Sequence, residues 1–103
     1  MRIAGISGII GKSTKPFRRS EKDFRKLLVQ LLDRSPDIFV LHEGPNDVEA
    51  KLMGNESIRA ELVKGNDLLV ICGHSHWKVP MIALSKGIQV LNVDTRVVVM
   101  VAE

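Results

Sequence analysis

Two histidines separated by one serine are the residues of this chain best suited to chemistry. His74 and His76 follow the apolar run Leu68–Cys72 and the residue Gly73. The run has the length and branching of a buried strand covered on both faces, and Gly73 would permit a sharp turn at its end. Residues two apart in an extended backbone project to the same side, and neutral imidazole is the commonest metal ligand. The pair therefore predicts a metal site where the strand ends.

A third histidine has the same setting. His42 follows the short apolar run Ile38–Leu41. A lone histidine beside a strand is more often a hydrogen-bonded core residue than a ligand. In open α/β sheets, however, the carboxyl ends of the strands meet at the edge where ligands bind. We therefore expect His42 to lie beside His74 and His76 in one pocket.

The two strand ends together resemble a known family. H-E-G-P at positions 42–45 and G-H-S-H at positions 73–76 each follow an apolar strand, about thirty residues apart. This arrangement resembles the C-terminal half of a calcineurin-like metallophosphoesterase. The likeness extends from the opening RIAGISGIIG to the closing VLNVDTRVVVM, which is nearly the whole chain. The fold it implies is α/β, a partial metallophosphoesterase-type sandwich.

The resemblance also implies a site and its cofactors. Enzymes of this family hold two divalent ions, commonly manganese, iron or zinc, which bind the phosphoryl oxygens and lower the pKa of a bridging water. By this resemblance His42 and His74 would bind one ion and His76 the other. The expected activity is hydrolysis of a phosphoric ester.

Three neighbouring residues are candidates for a supporting role around these ligands. Gly73 would permit the turn, and the carboxylates of Glu43 and Asp47 could orient imidazole N–H groups. For the two carboxylates, an ordinary solvent-exposed charge is an equally good interpretation.

The family's enzymes carry three further motifs, D-x-H, G-D and G-N-H-D/E, and none of them occurs in this sequence. By the resemblance, these ligands and the general-acid histidine would precede Met1, which leaves the catalytic residues unknown. Three histidines divided between two ions leave each ion under-coordinated. We therefore expect the chain alone to hold one ion or none, weakly, and to catalyse poorly.

Three functional hypotheses follow. The first is a truncated or split metallophosphoesterase, and the second is an inactive remnant that binds metal or a partner. The third is a small basic nucleic-acid-binding module, because residues 12–26 hold seven of the fifteen cations. Nucleic-acid surfaces usually combine such cations with aromatic residues, and this segment has only Phe17 and Phe24. We favour a solvated surface, with attraction of a phosphorylated substrate as its functional alternative.

Composition limits the remaining classes. A chain of 103 residues with 45% hydrophobic content predicts one folded domain, here a partial one spanning 1–103. No apolar run approaches the roughly 20 residues of a membrane span, and no secretory signal is apparent, so we expect a cytoplasmic location without a membrane partner. Cys72 is the single cysteine and lies in an apolar run, which predicts a buried thiol.

A glycine-rich segment near the N-terminus is similar in part to a phosphate-binding P-loop. Gly11, Lys12, Ser13 and Thr14 match the end of that motif, but the glycine required five positions earlier is replaced by Ile6. A glycine-rich loop beside the site is the better interpretation.

Local patterns predict the elements that would position the site. A helix should begin after the N-cap Ser20 and end near Arg34, and a second should follow the N-cap Asn55. With the apolar runs, these predict a parallel β-α-β-α-β unit. Short links predict antiparallel strands at 81–84, 88–93 and 97–101. A sheet that begins at Met1 would expose an apolar edge, so we expect a homo-oligomer or a chain that supplies the missing half.

Overall fold

The computed structural model describes residues 1–12, 14–85 and 87–102. These residues form two helices and seven strands. In chain order the elements are β1 (Ile3–Ile6), β2 (Ile9–Ile10), β3 (Arg18–Arg19), α1 (Glu21–Leu32), β4 (Ile38–Glu43), α2 (Glu56–Leu62), β5 (Leu68–Gly73), β6 (Met81–Ser85) and β7 (Ile88–Asn92).

Five strands form one mixed sheet in the order β1-β4-β5-β7-β6. Strands β1, β4, β5 and β7 are parallel, and β6 pairs with β7 in the antiparallel direction. Helix α1 connects β1 to β4, and α2 connects β4 to β5. The predicted parallel β-α-β-α-β unit is therefore confirmed, and the carboxyl ends of β1, β4, β5 and β7 meet at one edge.

The C-terminal part of the chain differs from the prediction. The β6–β7 hairpin forms, although its link includes Lys86, which lies outside the described residues. Residues 97–101, predicted as a third strand of this group, have no strand structure, and Val97 and Val99 are largely exposed. The reason is topological, because β7 lies between β5 and β6 and has no free side for another strand.

Both helices begin where their caps predict. The Ser20 hydroxyl accepts a hydrogen bond from the Asp23 backbone N–H, and the Asn55 side chain accepts one from the Ile58 N–H. These bonds satisfy backbone donors that the first helical turn leaves unpaired. Helix α1 ends at Leu32, two residues before the predicted end at Arg34, and Asp33 is its C-cap.

The helices cover one face of the sheet, here called the covered face. Its core is a cluster of side chains that are at most 6% exposed and that come from both helices and from the sheet. The largest members are Trp77, Phe24, Phe39, Leu28, Leu41, Ile58 and Leu62.

The opposite side, here called the open face, carries apolar side chains without a helix above them. Alternation along the strands places Ile3, Val40 and Ile71 there, and Ile3 and Val40 are 66% and 43% exposed. Leu69 and Ile71 are half-buried. The expectation that β5 is covered on both faces is therefore met on one face only.

Within the described part of the chain, no helix is long and apolar enough to cross a membrane.

Candidate functional site

Two of the three histidines lie together at the carboxyl edge of the sheet. His42 is near the end of β4, and His74 comes directly after β5, its parallel neighbour. Their ring centroids are 5.1 Å apart and the ring planes are inclined by 56°. Both side chains are exposed to solvent. The parallel register of β4 and β5 therefore creates an accessible imidazole pair, here called the histidine pair.

The turn that presents His74 differs from the sequence expectation. Gly73 is the last residue of β5, and a Cβ atom there would meet no other atom closer than 3.9 Å. His74 itself adopts a left-handed conformation with φ of 67°. Such a φ is uncommon for residues other than glycine, although histidine tolerates it better than most. The turn thus depends on His74, and neither space nor conformation at position 73 requires glycine.

A buried asparagine holds the loop that carries the histidines. Asn92 is 1% exposed, and its side-chain amide donates a 2.7 Å hydrogen bond to the Ser75 carbonyl. Its side-chain oxygen accepts a 3.0 Å hydrogen bond from the Asp94 N–H. Asn92 therefore fixes the loop after β5 to the loop after β7. The sequence offers only a weak signal for Asn92, a polar residue at the end of an apolar strand.

His76 is directed to a different group of residues. Its Nδ1 lies 3.1 Å from the Asp94 carbonyl oxygen and 3.0 Å from the Thr95 hydroxyl. A guanidinium nitrogen of Arg96 lies 3.2 Å from Nε2 and 3.4 Å from Nδ1, so it lies against the imidazole ring and not along the lone pair of either nitrogen. In this arrangement the Arg96 guanidinium places a positive charge beside His76, which opposes the binding of a metal cation there.

The ring separation of the histidine pair lies in the range seen for two imidazoles that share one metal ion. Two imidazoles that bind one ion through nitrogens at about 2.1 Å hold their ring centroids roughly 4.5 to 5.5 Å apart, and the observed separation is 5.1 Å. Across residues 1–12, 14–85 and 87–102, no three His, Cys, Asp or Glu side chains form a group of metal-ligating geometry.

The two candidate supporting carboxylates have other partners. Oε1 of Glu43 accepts a 2.9 Å hydrogen bond from the Ile10 N–H, and Oδ1 of Asp47 accepts a 3.2 Å hydrogen bond from the Ala50 N–H. Asp47 therefore stabilises its own turn. Glu43 connects β4 to the residues after β1 and so helps to position the wall of the site.

Two short segments form that wall, the glycine loop (residues 7–11) and the phenylalanine loop (residues 16–19). They pair in parallel through β2 and β3. Gly8 has a φ of 83°, and a Cβ atom there would lie 2.7 Å from the Phe17 carbonyl oxygen. Only glycine combines this conformation with such a close approach. The two loops and the histidine pair surround a cavity of about 400 Å³.

The phenylalanine loop brings positive charge to this cavity. Arg18 lines it together with His42 and His74, and Arg19 donates hydrogen bonds to the Ser7 carbonyl and hydroxyl. Among the described residues, neither arginine forms an ion pair with a carboxylate. The P-loop comparison includes Ser13, which lies outside the described residues.

Cys72 and Trp77 have structural roles. Burial raises the pKa of the Cys72 thiol to about 12, which keeps it protonated and unreactive near neutral pH. Trp77 is 1% exposed, and its indole N–H donates a 2.7 Å hydrogen bond to the Met53 carbonyl. The burial of Cys72 confirms the predicted buried thiol, and Trp77 is a buried packing residue.

Comparison of the chain with protein-family models, with curated proteins and with solved structures found no match.

Proposed function

We propose that this chain is a metal-dependent phosphoric ester hydrolase, or the C-terminal fragment of one, of the calcineurin-like metallophosphoesterase type. The fold would then be part of that family's sandwich. One observation carries the proposal: the histidine pair lies at the carboxyl edge of parallel strands and borders a cavity with an arginine in its wall. Imidazole is a metal ligand, and a guanidinium is suited to a phosphate group.

Each of the residues at the cavity would have a separate role. His42 and His74 would hold a manganese, iron or zinc ion, and Arg18 would attract and orient the phosphate. When bound, the ion supplies Lewis acidity and activates water as a nucleophile. Glu43 would keep the glycine loop in place through its hydrogen bond with Ile10.

His76 would bind a second ion less readily, because the Arg96 guanidinium lies against its ring and places a positive charge there. Its loss should therefore affect metal binding less than the loss of either member of the histidine pair.

Further ligands are expected from a partner, and the open face indicates where that partner would bind. A groove of about 630 Å³ runs along this face between Val40 and Ile71 and reaches His42. A chain that covers the open face would also place its side chains beside the histidine pair. We propose that this partner is a second copy or a chain that bears the absent motifs.

Isothermal titration with zinc and manganese tests the metal site. We expect loose binding at about pH 7.5 that weakens at about pH 5.5, because protonated imidazole cannot ligate a metal. His42→Ala and His74→Ala should each weaken binding at least about tenfold. His76→Ala is the matched control and should have a smaller effect. Binding that persists in a His42→Ala, His74→Ala double variant would exclude the histidine pair as ligands.

Hydrolysis of bis-p-nitrophenyl phosphate in the presence of manganese tests the activity. The chain alone should turn over very slowly, and an added fragment that bears the D-x-H, G-D and G-N-H-D/E motifs should increase the rate. The increase should disappear in His74→Ala. A rate that the fragment leaves unchanged, or a rate that His74→Ala leaves unchanged, would contradict the proposal.

A further inference from the structure

An exposed aromatic residue belongs to the lining of the cavity beside the histidine pair. The Phe17 residue is 89% exposed, whereas Phe24 and Phe39, the other phenylalanines, are fully buried. Phe17 lines the same cavity as His42 and His74. Isolated exposed apolar residues are common on protein surfaces, so exposure alone carries no function.

The backbone at Phe17 makes the position unusual. Its φ of 60° lies in the left-handed region, which a bulky side chain adopts at an energetic cost and which glycine or asparagine would adopt more easily. Strained residues of this kind concentrate at ligand sites, where the surrounding structure holds them. A ring that is both strained and exposed contributes little to packing, and this favours a role in contact with a ligand.

The surrounding structure does hold Phe17 in place. Its carbonyl oxygen accepts a 3.1 Å hydrogen bond from the Ile9 N–H, and the Gly11 N–H donates a 2.9 Å hydrogen bond to the Arg19 carbonyl. These two bonds fix the phenylalanine loop to the glycine loop. The glycine loop is in turn held to β4 by Glu43. The ring is therefore attached to a supported backbone.

The residue next to the ring in sequence carries a positive charge. Arg18 follows Phe17 directly and lines the cavity, and its guanidinium donates a 3.1 Å hydrogen bond to the Pro16 carbonyl. A guanidinium has five donor positions, so the remaining ones can meet phosphate oxygens. An aromatic ring next to a cation is the combination that binds a planar group attached to a phosphate.

We propose that Phe17 and Arg18 form a recognition site for phosphoric esters of aromatic alcohols or nucleosides, with Phe17 stacking on the planar group and Arg18 binding the phosphate. This inference rests on the proposed phosphoesterase function and specifies its substrate class. The histidine pair would lie at the phosphate end of such a ligand.

Binding measurements separate this inference from catalysis. Backbone amide resonances of the full chain would be followed by NMR during titration with phenyl phosphate, adenosine monophosphate and ethyl phosphate. The three ligands carry a phosphate monoester, and only the first two carry a planar ring. We expect one or both aromatic esters to bind about tenfold more tightly than ethyl phosphate, since stacking on one aromatic side chain typically contributes that much.

Variants identify the residues responsible for the preference and for phosphate binding. Phe17→Leu should remove the preference for aromatic esters without changing the affinity for ethyl phosphate, and Phe17→Tyr should retain the preference. Arg18→Gln should weaken all three ligands several-fold. Lys22→Gln removes an exposed cation from helix α1 and is the matched control, which should change none of them.

Each outcome either supports or overturns the recognition site. Equal affinities for the three esters, no detectable binding of any of them, or a preference that survives Phe17→Leu would overturn the inference. Preference without hydrolysis would retain the recognition site and refute the proposed catalysis. Metal-dependent hydrolysis without preference would retain the proposed function and refute the recognition site.

Discussion

The two faces of the sheet carry similar apolar side chains in different environments. On the covered face, Phe39 and Val70 are fully buried beneath the helices. On the open face, the neighbouring residues Val40 and Ile71 are 43% exposed and half-buried, respectively. Sequence composition barely distinguishes the two sides. The difference arises because α1 and α2 lie on one side of the sheet, and among the described residues no helix lies on the other.

The two faces therefore have different consequences for stability and for association. The covered face removes apolar surface from water and so stabilises the domain. The open face leaves apolar surface accessible next to His42, where a partner could both bury it and complete a site. Natural soluble proteins seldom leave a large apolar face without a function.

The largest expected effect is a difference in unfolding free energy between variants at two adjacent positions of β4. Phe39→Ala should lower the free energy of unfolding by about 3 to 5 kcal/mol, because it removes a fully buried ring and leaves a cavity. Val40→Ala, at the adjacent position on the open face, should cost less than about 1 kcal/mol. Urea denaturation followed by Trp77 fluorescence measures both values. Similar losses for the two variants would show that the open face is as well packed as the covered face.

The next prediction concerns association through the open face. We expect the mass measured by light scattering to rise with concentration, since burial of apolar surface drives association. Val40→Lys should weaken this self-association at least about tenfold, which corresponds to about 1.4 kcal/mol. Val29→Lys is the control, because Val29 is 38% exposed but lies on helix α1. A monomer at all concentrations, or equal effects of the two lysines, would contradict association through this face.

The smallest effect concerns the contact between the helices that cover the sheet. Glu61 is 7% exposed and lies 3.0 Å from Arg25 and 3.2 Å from Lys64. The Arg25 hydrogen bond, followed by that of Lys64, lowers the pKa of the Glu61 carboxyl below its usual range, against the opposing effect of burial. Both cations are more than half exposed, so solvent screening keeps the contribution small, on the order of 1 kcal/mol.

The stabilisation that Glu61 contributes depends on pH. A carboxyl whose pKa is lowered by folding stabilises the protein above the pKa of the unfolded chain, and that stabilisation is lost as pH falls through the lower, folded-state pKa. Glu61→Gln should therefore unfold more easily at neutral pH and show a flatter loss of stability in acid. Thermal unfolding from about pH 7 to about pH 3 tests this, with exposed Glu56→Gln as the control. Parallel pH profiles for wild type and Glu61→Gln would refute it.

Local sequence rules predicted much of the fold. Caps at Ser20 and Asn55 predicted where the helices begin, because a side chain that satisfies helical N–H groups acts within one turn. The alternation of strands and helices predicted parallel pairing of β1, β4 and β5. Parallel pairing in turn implies that the ends of β4 and β5 share an edge, which explains why His42 and His74 could be expected to meet.

The two helices, the parallel strands that they connect and the meeting of two histidines thus follow from the sequence, since they depend on contacts close in sequence and on strand direction. Tertiary structure alone decided that His76 contacts Arg96, that residues 97–101 find no strand partner, and that Glu43 holds the glycine loop. These outcomes depend on which distant segments compete for the same hydrogen-bonding groups. Such competition is settled only when the whole chain packs, because a donor or strand edge already in use is unavailable to any other partner.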